Sequence, residues 1–216
     1  MLALALHDLP TRSASSFLIR YVVPRTGPPQ LVGPLDRKAL FSTLSAGDAI
    51  IGVGHGDPDR FCGYRNQMLL DVSSIPDVRS KVVVLISCQT ARQLGPALIN
   101  AGAASYIGFL EDLVWVMDAD SAATPWSDKF AAPAMMPIVN CVNTILDGKV
   151  TADAFVVLTN ELMRNAAVEE EDELIAACLR FNARNASLLG NPMARVKARP
   201  KVAFPLPPPP LFPYLA

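Results

Sequence analysis

Paired cysteines, glycine-rich phosphate loops and long apolar runs are all missing from this chain, and each absence removes a class of function. The four cysteines, Cys62, Cys88, Cys141 and Cys178, are widely spaced with no C-x-x-C pair, so neither a zinc knuckle nor a thioredoxin motif is present. Free thiols of this kind fit a reducing, cytoplasmic setting. Gly52-Val53-Gly54-His55-Gly56 lacks the G-x-G-x-x-G spacing and no P-loop occurs, which argues against nucleotide binding. Despite a positive mean hydropathy, no run of about 18 uninterrupted apolar residues exists, so no membrane span is expected. The apolar start, Met1-Leu2-Ala3-Leu4-Ala5-Leu6, has no basic segment before it and meets His7-Asp8 early, unlike a secretory signal. With 19 basic against 20 acidic residues, the chain has no electrostatic footprint for nucleic acid or an anionic membrane. No metal or cofactor is called for.

What is present is a large apolar fraction, 51% of 216 residues, enough to fill the core of one domain. That domain is expected over residues 1–195. Residues 196–216 contain Pro200, Pro205, Pro207 to Pro210 and Pro213 and read as an extended, proline-rich tail suited to binding a partner domain.

Along the domain, the β-branched and aromatic run Phe17 to Val23 reads as a strand, and Pro34 to Ala46 as a short amphipathic helix stopped by Gly47. Ala49 to Gly54 and Val82 to Ser87 are continuously apolar, the pattern of central parallel strands covered on both faces. The polar segment between them, Asp57 to Ser80, is too long for a tight turn and contains a brief strand at Met68 to Val72. Thr90 to Asn100 has helical spacing and is capped by Gly102. Ala104 to Phe109 reads as a fourth strand, and Trp126 to Leu146 and Ala152 to Leu189 as mostly helical. The acidic run Glu169 to Glu173 falls at a solvated face or an interhelical turn. Strand–helix–strand order builds an open α/β sheet, whose ligands lie beyond the carboxyl ends of the strands.

Two residues occupy that edge. His55, between Gly54 and Gly56, ends one apolar strand, and Cys88 ends the other. A lone histidine at a strand end is more often structural, and a lone cysteine more often a small core residue. The flanking glycines change the balance for His55, because they let backbone approach a substrate and leave the Gly56 amide free to face a developing oxyanion. Cys88 is placed where a strand gives way to a helix N-terminus, which would lower its thiol pKa. Since neighbouring parallel strands lie about 4.8 Å apart, imidazole and thiol could flank one scissile carbonyl as a Cys/His hydrolase.

The motif Gly54-His55-Gly56, the segment Ile86-Ser87-Cys88-Gln89-Thr90-Ala91, and the stretch from Leu98 to Gly108 resemble, in this order, the caspase-like (clan CD) cysteine peptidases, most of all the gingipain (C25) and CHAT-type branches. Trp126 to Phe130, Leu146 to Lys149, Ala152 to Ala154 and Leu188-Leu189-Gly190-Asn191-Pro192 continue the likeness. The closing segment has Asn191 where the family usually has Asp, and the histidine and cysteine are 33 residues apart rather than the roughly 50 of caspases, whose Gln-Ala-Cys motif is absent.

The resemblance implies a three-layer α/β/α fold with a mostly parallel central sheet. It implies a cysteine endopeptidase in which Cys88 attacks the peptide carbonyl, His55 protonates the leaving amine, and the amides of Gly56 and Cys88 form the oxyanion hole. A third, acidic member upstream of the histidine makes Asp48 a candidate, with Asp57 the nearer alternative. One wall of the substrate pocket would include Glu111, Asp112 and Trp115, facing Asp57 and Asp59, and such an acidic lining would favour a basic residue before the scissile bond. Self-processing is a further expectation.

Two rivals stand beside this reading. A catalytically silent interaction module could use the same fold, since fold does not dictate function. An α/β hydrolase or acyltransferase acting through Cys88 would require Gly-x-Cys-x-Gly, which Ile86-Ser87-Cys88-Gln89-Thr90 does not supply.

Overall fold

The computed structural model describes residues 2–4, 8–26, 30–32, 37–44, 47–169 and 172–199. His7, the expected helix start at Pro34, part of the acidic run and the prolines from Pro200 onward lie outside the described residues.

The chain forms β1 (Leu2–Leu4), α1 (Leu9–Tyr21), α2 (Val23–Thr26), β2 (Gln30–Val32), α3 (Arg37–Leu44) and β3 (Ala49–Val53). A small antiparallel sheet follows, made of β4 (His55–Asp57), β5 (Arg60–Cys62) and β6 (Met68–Asp71). Then come β7 (Val82–Ile86), α4 (Leu94–Asn100), β8 (Ser105–Phe109), α5 (Ala132–Leu146), α6 (Thr151–Val168), α7 (Glu173–Asn185) and β9 (Ala186–Gly190). The main sheet has the order β2-β1-β3-β7-β8-β9, parallel throughout except for β9, which runs antiparallel to β8.

Both faces of this sheet are covered, as the unbroken apolar strands require. On one face Ile51, Val53, Val84, Ile86, Ile107 and Phe109 pack against α1, α5, α6 and α7. On the other, Ile50, Val83, Leu85 and Tyr106 pack against Leu40 of α3, the hairpin residues Phe61 and Leu70, and Leu94 and Leu98 of α4. Alternate residues of each strand serve opposite cores, so the architecture is three layered, helices and hairpin around a mostly parallel sheet.

Three elements depart from the sequence reading. Phe17 to Val23 is the second half of α1 and the start of α2, not a strand. Asp8 caps the helix and Pro10 occupies its first turn, while Ala14, Phe17, Leu18 and Val22 all enter the core. Their helical spacing outweighs the local β preference once a sheet face is there to receive it. Ala186 to Leu189 is strand β9, not the end of a helix, because its backbone completes the open edge of β8. Residues 90–93 form a turn, and α4 begins only at Leu94.

The segment between β3 and β7 folds back as the β4–β5–β6 sheet, with the expected strand realised at Met68–Asp71. Past Arg195 the chain still packs on the domain. Val196 is buried, the Lys197 amide donates to Asp48 at 2.7 Å, and the Arg199 guanidinium pairs with Asp48 at 3.0 Å. Among the described residues no helix is long and apolar enough to cross a membrane.

Candidate active site

The register of the two central strands brings the site together. β3 and β7 pair in parallel with Val53 opposite Ile86, and the Gly54 amide continues the ladder to the Ile86 carbonyl at 3.3 Å. Both strands therefore end at the same rim, the carboxyl end where open α/β sheets bind ligands. Beyond it, His55 and Cys88 line one cavity of about 460 Å³, together with Gly54, Gly56 and Ser87.

Close backbone approach explains the two glycines. A Cβ on Gly54 would meet the Cys62 carbonyl at 2.2 Å, and one on Gly56 would meet the Cys88 carbonyl at 2.3 Å. Only hydrogen at these positions lets the β4–β5 hairpin fold over the strand end and lie against the cysteine turn.

That turn is held by buried polar groups. The Tyr106 hydroxyl donates to Thr90 Oγ1 at 2.8 Å, and the Ser87 and Thr90 hydroxyls share a 2.9 Å bond. Gln89 adopts φ of 57°, a left-handed conformation that a non-glycine residue holds only where its surroundings impose it. The imposition comes from the segment after β8. The Gln89 amide donates to the Glu111 carbonyl at 3.1 Å, its side chain to Asp112 at 2.9 Å, and the Ala91 amide to the Phe109 carbonyl at 3.0 Å.

Cys88 is partly buried. Burial pushes its thiol pKa up, the Leu113 amide hydrogen-bonding to the sulfur pulls it back, and the charge and hydrogen bond of Asp112 push it up again, for a net rise. The helix N-terminus expected to lower it is not at hand, because five residues lie between Cys88 and Leu94, where α4 starts.

His55 has an acidic partner that the sequence reading did not name. Asp8 Oδ2 lies 2.5 Å from His55 Nε2, while Asp8 Oδ1 accepts from the Thr11 amide at 2.9 Å and the Thr11 hydroxyl at 2.7 Å. One carboxylate thus caps α1 and holds the imidazole. Asp8 followed by Leu9-Pro10 is a helix-start signature, masked in the sequence by the strand-like composition of Phe17 to Val23 that follows.

Of the two acids weighed for that place, Asp48 precedes β3 at the far end of the strand from His55 and binds Lys197 and Arg199. Asp57 lines the cavity, but its carboxylate accepts from Arg60 Nε at 2.7 Å. Among the expected pocket residues, Asp112 and Trp115 line the cavity; Glu111 pairs with Arg92, and Asp59 lies 3.6 Å from Arg60. Among the described residues no group of three His, Cys, Asp or Glu side chains is placed to hold a metal ion.

No protein-family model and no curated protein matches the chain. Solved structures do. The crystal structure of the Arg-specific cysteine proteinase gingipain R (RGPB) aligns with a TM-score of 0.55 at 13% identity, over 92% of this chain and 47% of that one. The fold is caspase-like. A complex of Porphyromonas gingivalis RgpB pro- and mature domains gives 0.55 at 11% identity over 92% of this chain and 48% of that one, and a structure described as a protease gives 0.58 at 13% over 90% and 48%. The chain spans about half the length of each structure it matches.

Proposed function

We propose that the chain is a cysteine endopeptidase working through His55 and Cys88, with Asp8 positioning the histidine. What carries the reading is the convergence of a carboxylate-bound imidazole and a thiol on one cavity at the carboxyl rim of a caspase-like sheet. With Nε2 donating to Asp8, the neutral ring keeps its lone pair on Nδ1. That nitrogen takes the thiol proton as the Cys88 sulfur bonds to the peptide carbonyl carbon. The Gly56 and Cys88 amides face the resulting oxyanion. Collapse of the tetrahedral intermediate breaks the C–N bond, and the imidazolium returns the proton to the departing amine. Water then attacks the thioester, releasing the acid and restoring the thiol.

A peptidyl acyloxymethyl ketone should label the native protein on Cys88, and Cys88→Ala should lose the label while keeping its melting temperature. Equal labelling of Cys88→Ala removes the assignment. The rival, a silent interaction module, draws on the same burial that pushes the thiol pKa up; a native protein inert to the ketone and stable on incubation without inhibitor would select it, whereas inhibitor-sensitive self-cleavage would select the peptidase.

A further inference from the structure

Resting on the peptidase reading, we infer that the substrate pocket takes an uncharged apolar side chain before the scissile bond, of the leucine, methionine or phenylalanine class, rather than a basic one. The inference comes from where charge lies in the cavity. The lining residues that are themselves buried are Thr11, Ala14, Val53, Gly54, Ile86, Ser87 and Leu113. Ala14, Val53, Ile86 and Leu113 are apolar, Gly54 has no side chain, and the hydroxyls of Thr11 and Ser87 are already bonded to Asp8 and Thr90. The partly exposed wall continues with Val114, Trp115 and Met117.

Carboxylates in the lining occur only at the exposed margin, and both have partners. Asp57 accepts from Arg60, and Asp112 accepts from the side-chain amide of Gln89. A guanidinium or ammonium inserted among the buried residues would give up water and meet no carboxylate, which is the unfavourable case for a charged group. An apolar side chain there loses only its contact with water, and the aromatic and thioether walls offer adaptable packing. Substrate pockets are commonly apolar with a few polar groups at the reacting end, and here those groups are His55, Cys88 and the two margin acids.

Two measurements on one set of tetrapeptides test this, the peptides differing only in the last residue: Leu, Met, Phe, Arg, Lys or Asp. Hydrolysis of their fluorogenic amides is followed with the native chain, and binding of the free peptides to Cys88→Ala by calorimetry. The apolar peptides should lead Arg and Lys by at least tenfold in kcat/KM and in affinity, and Val114→Asp, which adds a carboxylate to the wall, should narrow or reverse the gap. Stronger binding of the Arg or Lys peptide to Cys88→Ala, or no difference across the set, overturns the inference. Preferential binding of the apolar peptides without any hydrolysis by the native chain keeps the pocket assignment and removes the peptidase reading instead.

Discussion

Replacing Asp8 separates two roles that one carboxylate combines. Its Oδ1 caps α1 through Thr11, and its Oδ2 holds His55 Nε2 at 2.5 Å. Asparagine caps a helix about as well as aspartate, so Asp8→Asn should keep the helix start and remove only the charge facing the imidazole. The side chains of the pair are 38% and 32% exposed, and even a fully charged pair that open contributes only about 0–1 kcal/mol to stability. Asp8→Asn should therefore barely move the melting temperature. Asp8→Ala also loses the cap, about 1 kcal/mol, or a fall of roughly 2–4 °C for a chain this long.

Activity should follow a different order. A hydrogen bond to a charged group contributes about 1.5–3 kcal/mol, and the exposure of the pair favours the low end. Both variants should then lose roughly tenfold or more in kcat/KM, with Asp8→Asn as impaired as Asp8→Ala though more stable. The assay is hydrolysis of the best peptide beside thermal unfolding. Unchanged kcat/KM in Asp8→Asn would refute the positioning role and leave the carboxylate a helix cap alone. Acid titration adds a sign. Burial pushes the Asp8 carboxyl up, but the hydrogen bonds from His55 and Thr11 and the nearby imidazole charge outweigh it and hold the group below its ordinary value. Its stabilisation is complete above the unfolded carboxyl range near pH 4 and is lost as pH falls through the lower folded value; Asp8→Asn should remove that part of the acid-side decline.

Cys88 should alkylate slowly with iodoacetamide at neutral pH, faster as pH rises through and above 9, and several-fold faster at pH 7.5 in Asp112→Asn, because that variant removes a negative charge that opposes the thiolate. A rate unchanged or lower in Asp112→Asn would contradict the assignment of that carboxylate. Gly56→Ala forces a methyl to within 2.3 Å of the Cys88 carbonyl. The overpacking should cost about 1–3 kcal/mol and displace the hairpin from the cysteine turn, seen as a lower melting temperature together with lost ketone labelling. A variant with native stability would show that the approach at Gly56 is looser than the backbone positions imply.

Much of the architecture was legible because burial leaves its mark in composition. Ile50-Ile51 and Val82 to Ile86 could be read as central strands since a strand covered on both faces tolerates no polar residue, and His55 and Cys88 stood out because each follows such a run. Local preference misled where tertiary contacts overrode it. Phe17 to Val23 has the residues of a strand, yet the face of the sheet offered its helical stripe a better burial. Leu188 and Leu189 continue a helical pattern, but the unpaired edge of β8 claims them as backbone partners. Asp48 and Asp57 are the acids near His55 along the chain, whereas the structure supplies its acidic partner from 47 residues upstream.

The order of apolar runs along the chain was sufficient to determine a layered sheet with an imidazole and a thiol at its strand ends, because periodicity and side-chain chemistry are local properties. Which carboxylate meets the imidazole, how far the cysteine stands from the following helix, and whether the acids near the cavity are available or already bonded were decided only by packing. Those are matters of distance and desolvation between groups remote in sequence, and they take values only after β1, β3, β7 and the segment beyond β8 have come together.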